Sequence, residues 1–285
     1  MEFNYLGSSG LRVSKLCLGT MMPFARHHLM MNFKIEKRGK ITMDQKRWAM
    51  VTGADRGLGL AMSKGLLEKG YLVWAGHYAQ DCQALQELEA AYGARLRPLH
   101  LDISDVGSVR QAVRMVSAVT NRLDLLVNNG AILGNIAATV QDELDFEEME
   151  KVYRVNTLGA LRMTNGLIEL IMNSADRLIV NISSEAGSIG ASQRTAWFAY
   201  CMSKAALNMQ SKLIHNQIAS QGGKVLVVHP GHVQTWMQGK LDVAGKLTPE
   251  QSAQHILGLV EQRISPEWPD QALALIDYTG DRWPW

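Results

Sequence analysis

Tyr200 and Lys204 stand four residues apart in "YCMSK", at the start of an apolar stretch with helical spacing. On a helix that spacing puts both side chains on one face, one turn apart. A free tyrosine, with a pKa of about 10, is a poor acid or base near neutrality. A neighbouring ammonium stabilises the phenolate and draws that pKa toward the range that general acid–base catalysis uses. Such pairs also occur on ordinary helices, where they only pack and solvate, so the pair needs company. Ser184 supplies some. It ends the run "RLIVNISS", where its hydroxyl is placed to hydrogen-bond a carbonyl, while strand alternation turns Ser183 to the opposite face. The ordinary alternative for Ser184 is a turn or helix cap.

A second constellation lies upstream. Gly53, Gly57 and Gly59 in "TGADRGLG" follow an apolar run directly and open a helical one. That is the context a glycine-rich phosphate loop requires, because side chains at these positions would block a pyrophosphate. The helix that begins near Gly57 points its unpaired amides and positive dipole end at the phosphates. With the strand before, the helix after and "LDIS" downstream, the loop predicts dinucleotide binding.

The elements that must position these residues are legible from Arg47 onward. Short apolar runs alternate with amphipathic stretches in a βαβα rhythm, the pattern of a parallel sheet covered by helices on both faces. "RWAMVTG", "YLVWAGH", "LRPLHLDI", "LDLLVNNG", "RLIVNISS", "KVLVVHPG" and "ALALIDY" are dense in Val, Ile and Leu, as strands buried on both faces must be. The fold class is therefore α/β, a single doubly wound parallel seven-stranded sheet of Rossmann type, preceded by an extra N-terminal segment. Residues 43–285 form the domain and residues 1–42 an appendage.

Composition narrows the function classes. The 285 residues are 47% hydrophobic and 20% charged, enough to bury a large core without disulfides. Cys17, Cys82 and Cys201 are odd in number and far apart, which suggests neither a disulfide framework nor a metal site and fits a reducing, cytoplasmic setting. Residues 1–47 carry nine Lys or Arg against three acids, +6 where the whole chain is +2, so the rest carries −4. No basic stripe for nucleic acid is present in that acidic body, and the cluster "KIEKRGKITMDQKR" reads as a solvated linker. No run approaches the roughly 20 apolar residues of a membrane helix.

Taken in order, "TGxxxGxG", "NNG", "VNxxG", "SS" after a strand, "YxxxK" and "HPGxVxT" resemble the short-chain dehydrogenase/reductase family over about residues 45–285. The closing "IDYTGDRWPW" is similar to its small carbonyl-reductase-like branch. The resemblance implies a nicotinamide cofactor and hydride transfer between it and a small carbonyl or alcohol substrate, with Asn156, Ser184, Tyr200 and Lys204 as the catalytic set. Asn156, in "VNTLG", matches the asparagine that completes a proton relay through a water held against the lysine. The implied cofactor contacts are Gly53, Arg56, Gly57, Leu58, Gly59, His77, Asp102, Ile103, Asn128, Asn129, Tyr200, Lys204, Pro230, Gly231, Val233 and Thr235. "NNGA" stands where the family has "NNAG". NADP(H) is favoured and NAD(H) possible: the second strand ends in His77 and Tyr78 rather than in a ribose-binding acid, and Arg56 is placed to pair with a 2′-phosphate. The loop from Ser184 to Tyr200, with Trp197 and Phe198, is read as a wall of the substrate pocket, and "QGKLDVAGK" as its lid, with Trp236 and Met237 either on the lid or in the core. Relatives commonly form homo-oligomers. The alternative to an enzyme is a non-catalytic NADP-binding regulator or scaffold, whose mark would be a broken catalytic set.

Residues 1–24, "MEFNYLGSSGLRVSKLCLGTMMPF", resemble something else, the opening hairpin and first barrel strand of an aldo-keto reductase, and none of that family's later strands follows. The expectation is a fused or misassigned start, with the working enzyme beginning near Met43. The competing expectation is an arm or pocket cover.

Overall fold

The computed structural model describes residues 3–5, 12–14, 46–237, 239–265 and 272–285. Its internal contacts divide the chain into Met1–Lys40 and Ile41–Trp285. In the first unit, β1 (Phe3–Tyr5) pairs antiparallel with β2 (Arg12–Ser14), Phe3 opposite Ser14. The rest of residues 1–42, including "KLCLGT" and the start of the basic cluster, lies outside the described residues; the end of the cluster is described, and there Arg47 pairs with Asp176 at 3.0 Å.

The second unit holds the sheet. Its strands are β3 (Trp48–Thr52), β4 (Leu72–His77), β5 (Leu96–His100), β6 (Leu125–Asn128), β7 (Leu178–Ile182), β8 (Lys224–His229), β9 (Leu275–Asp277) and β10 (Arg282–Trp283), in the spatial order β5-β4-β3-β6-β7-β8-β9-β10. The seven expected strands are all parallel to their neighbours. An eighth, β10, turns back antiparallel on β9. Two residues are too short a run to show a periodicity. What makes β10 is the turn before it, where Asp277 and Asp281 bond main chain to main chain and Gly280 takes φ +97°.

Side-chain alternation along the buried strands builds two cores. Ala49 and Val51 of β3, with Val73, Ala75, Val127 and Val180, face α1 (Gly57–Glu68), α2 (Gln83–Tyr92) and α7 (Pro249–Ile264). Trp48 and Met50, with Leu72, Trp74, Leu126 and Ile179, face α3 (Val106–Ser117), α5 (Ala160–Met172) and α6 (Phe198–Ile218). Each helix buries one stripe, Met163, Leu167 and Ile171 on α5 for example, so a Leu167→Ala cavity costs about 2–5 kcal/mol. Asp105 caps α3, Asp145 caps α4 (Phe146–Tyr153), and Thr248 with Gln251 forms a capping box on α7. α1 differs: the residue before it, Arg56, makes no side-chain cap. The chain builds β3, β4 and β5 in one direction and restarts at β6 on the other side, which leaves a crevice at the strand ends.

Candidate active site

The crevice floor is the glycine loop. Gly53 sits at φ +64°, and a Cβ there would lie 2.8 Å from the Gly130 Cα; a Cβ on Gly59 would lie 2.0 Å from the Gly53 carbonyl oxygen. Side chains at these positions would break the contact between loop, helix and β6. The Thr52 hydroxyl accepts from the Asn129 and Gly130 amides, both at 3.0 Å, and the Asn129 side chain donates to the Thr52 and Gly53 carbonyls. Ahead of α1 there is room, since a Cβ on Gly57 would meet only the Thr235 methyl, at 3.8 Å. An uncapped, glycine-fronted helix N-terminus with no acidic residue in its first turn fits a diphosphate.

The remaining residues implied by the resemblance fall into four sets. Ile103 is buried against Gly130 and Gly159, and the Asp102 carboxylate accepts from the Ser104 amide, so both shape the turn after β5. Asn128 is set apart, its side-chain amide buried inside the fold and donating to Thr164 and Asn181 rather than turned to the crevice. At the far end of the crevice His77 lies 3.0 Å from the Ala79 carbonyl through Nδ1 and edge-on to His100. Arg56 is largely exposed, 3.9 Å from the Asp55 carboxylate. Burial, with Asp55 and Asp81 nearby, pushes the Cys82 thiol up, against the opposing pull of Arg56. This corner therefore holds two carboxylates as well as the guanidinium, where reading only the end of β4 suggested none. After β8, the Pro230 carbonyl accepts from Ser252, Gly231 packs on Leu247 and Tyr278, and Val233 bridges to Leu247. Trp236 and Met237 are exposed, which settles them outside the core.

The chemical end joins β7, the turn after it and α6. Tyr200 is 8% and Lys204 2% exposed. The Lys204 ammonium lies 5.5 Å from the Tyr200 ring centroid and donates to the Ile182 carbonyl at 2.8 Å. Burial pulls Lys204 down to about 7 and pushes the Tyr200 phenol up; Glu185 adds to the rise, while a hydrogen bond with Ser184 opposes it. Alternation separates the two serines: Ser183 bonds Asn208 at 2.6 Å inside the fold, and the Ser184 hydroxyl lies against Glu185 and Tyr200. Ser184 is also a cap, accepting from the Ala186 amide at 3.1 Å, which leaves its proton to donate. Asn156 sits in a π-turn (Arg154–Gly159), accepts from the Ile132 amide and donates to the Ile132 carbonyl and the Ser203 hydroxyl. Both its amide hydrogens are engaged.

Three features escaped the sequence reading. Glu185 and Arg194 are paired at 2.6 Å beside Ser184, nine positions apart in an irregular loop with no periodicity to signal them. Trp197 adopts a left-handed φ of +69° at the head of α6 and sets its ring edge toward Tyr200, 6.2 Å between centroids. The last residues hold the loop: the Ser188 hydroxyl donates to the Pro284 carbonyl at 2.6 Å and the Gly190 amide to the Trp285 carbonyl at 2.9 Å. Among the described residues no cluster of three or more His, Cys, Asp or Glu is placed to hold a metal, and no helix is long and apolar enough to cross a membrane.

A doubly wound sheet with a glycine-fronted first helix and a serine, tyrosine and lysine at its crevice is the framework of a nucleotide-dependent oxidoreductase. The chain belongs to the short-chain dehydrogenase family, whose sequence pattern matches residues 47–244. An uncharacterized oxidoreductase of Schizosaccharomyces pombe is 31% identical over 233 residues, 76% of this chain and 90% of that one. Estradiol 17-beta-dehydrogenase 2 of the rat, Rattus norvegicus, is 32% identical over 74% of this chain, which spans 54% of that longer protein. The structure of an NADPH-bound carbonyl reductase from chicken fatty liver superposes with a TM-score of 0.73 at 29% identity, covering 84% of this chain and 99% of that one. The chain is accordingly an oxidoreductase of alcohol and carbonyl groups.

Proposed function

We propose that the protein is an NADP(H)-dependent reductase of small carbonyl compounds in which Tyr200 gives the proton, Ser184 orients the carbonyl oxygen and Lys204 tunes the tyrosine. The observation that carries this reading is the convergence of Tyr200, Lys204 and Ser184 at the crevice beside an uncapped α1. Gly53, Gly57 and Gly59 with the first turn of α1 would hold the diphosphate, and Val233 and Thr235 the nicotinamide end. When bound, the nicotinamide supplies the hydride that the carbonyl carbon receives.

The chain's own residues handle the proton. Because burial raises the Tyr200 phenol, it stays protonated at neutral pH, the state a general acid needs for carbonyl reduction. Ser184 keeps its acceptor lone pair on the Ala186 amide, and its proton would swing from the Glu185 carboxylate to the substrate oxygen. As Tyr200 gives its proton to the carbonyl oxygen, a protonated Lys204 beside it offsets the tyrosinate, and each ion lowers the other's desolvation cost. Asn156 retains only the second lone pair of Oδ1 for a relay water, since its hydrogens bind Ile132 and Ser203. Arg56 would face the 2′-phosphate, with His77 lining the same corner. The reducing-compartment cysteine usage supports a cytoplasmic setting, and the resemblance a homo-oligomer.

The test is NADPH oxidation by purified protein across aldehydes, ketones, quinones and sugars, with alcohols and NADP for the reverse. At least one carbonyl class should drive consumption. Tight NADPH binding with no turnover on any class would instead support a regulator or scaffold.

A further inference from the structure

Ser184 has one proton and three claimants, the Tyr200 oxygen beside it among them. Its oxygen already accepts from the Ala186 amide, and its hydroxyl donates to Glu185 Oε2 at 3.1 Å. A substrate carbonyl oxygen is an acceptor only and needs that same proton. The other carboxylate oxygen, Oε1, is held by Arg194 at 2.6 Å, and the Arg194 guanidinium lies 4.9 Å over the Trp197 ring, whose edge meets Tyr200. The pair thus reaches the reaction centre by two routes, through Ser184 and through the Trp197–Tyr200 contact.

We propose that the Glu185–Arg194 ion pair aims the Ser184 hydroxyl and sets the field at Tyr200, so that both are positioning residues for proton transfer. The proposal rests on the reading of Tyr200 as the proton donor. Arg194 engages the carboxylate and makes it a weaker rival for the serine proton. Without Arg194, Glu185 keeps its full charge, holds Ser184 and repels a tyrosinate.

The charged and titratable groups around this point are few. From its own helix Tyr200 meets Lys204 and Cys201, whose thiol burial keeps neutral; from the turn after β7 it meets Glu185, and from the loop Arg194. Glu185 and Arg194 also act on His229 at the end of β8, along with Asp277 and His232, and burial keeps His229 neutral. Glu185 and Arg194 therefore act on Tyr200 with opposite sign, beside Lys204, whose ammonium burial pulls down to about 7.

The two substitutions should push in opposite directions. Alcohol oxidation requires tyrosinate, so its rate rises with pH through the Tyr200 titration. Glu185→Gln removes a negative charge and should move that limb to lower pH. Arg194→Gln should move it to higher pH by about half a pH unit or more, about threefold in rate on the limb, and lower kcat/KM for carbonyl reduction as Glu185 captures the serine proton. The double variant should return toward the wild-type limb, and Arg194→Lys, which keeps the charge, should stay near it. A merely structural pair would lose activity in both variants with limbs unmoved or displaced together, and either result overturns the proposal, as does an unmoved limb in Glu185→Gln alone. Should Arg194→Gln not fold, Glu185→Gln and Arg194→Lys still decide. Wild-type-like turnover in Tyr200→Phe would instead overturn the reading of the site.

Discussion

Replacing Lys204 with methionine should change how stability depends on pH. Lys204 is buried, and burial pulls its ammonium from the ordinary 10.5 down to about 7. In the unfolded chain the amine keeps its proton up to 10.5, so between about pH 7 and 10.5 the unfolded state binds more protons than the folded one. Stability must therefore rise with pH across that window, and fall as pH drops toward 7. The gap of 10.5 to about 7, at about 1.4 kcal/mol per pKa unit, makes the full cost of burying this amine about 5 kcal/mol, of which about 2 kcal/mol is recovered between pH 7 and 9. Methionine fills similar space and carries no proton. Urea denaturation of the cofactor-free protein and of Lys204→Met at pH 7, 8 and 9 reads the difference directly. The variant should gain on the wild type at pH 7, and the gap should narrow by about 2 kcal/mol by pH 9. Other groups, such as the raised thiols of Cys82 and Cys201, titrate in both proteins and cancel in the comparison. Two parallel curves would refute the reasoning, for they would mean that Lys204 keeps its ordinary pKa when buried.

Two further outcomes concern the cofactor and the N-terminal unit. If Arg56 pairs with the 2′-phosphate, Arg56→Ala should raise the Michaelis constant for NADPH several-fold and leave that for NADH nearly unchanged; equal effects would show a general phosphate role. A chain beginning at Met43 should keep the melting temperature, kcat and Michaelis constants of the full chain, because every residue assigned to chemistry or cofactor lies beyond it; a melting temperature lower by several degrees, about 1 kcal/mol or more at this size, would show that residues 1–42 support the body.

How much was legible follows from which physics is periodic. Seven strands and their helices announced themselves because strands buried on both faces must be rich in β-branched and aliphatic residues, and the sequence of β7, "LIVNI", can do little else. The same alternation separated Ser183 from Ser184. Applied to β6, it would also have turned the Asn128 side chain inward beside Leu126, toward Thr164, rather than into the crevice. The glycines of the loop were legible because close approach excludes a Cβ. Glu185, Arg194 and the tail around Pro284 were not, because irregular loops are fixed by individual hydrogen bonds between distant residues, which leave no spacing in the sequence. The exposed Trp236 and Met237 were ambiguous for a related reason: hydrophobicity alone does not say which side of a loop meets solvent.

The central claim is that Tyr200 exchanges the carbonyl proton. With a carbonyl substrate found by the NADPH screen, single-turnover rates of the wild type and Tyr200→Phe, alongside NADPH affinity measured by fluorescence, test it most directly. The account predicts a loss of turnover of at least about 10²-fold with affinity for NADPH nearly intact. Near-normal turnover in Tyr200→Phe would contradict it.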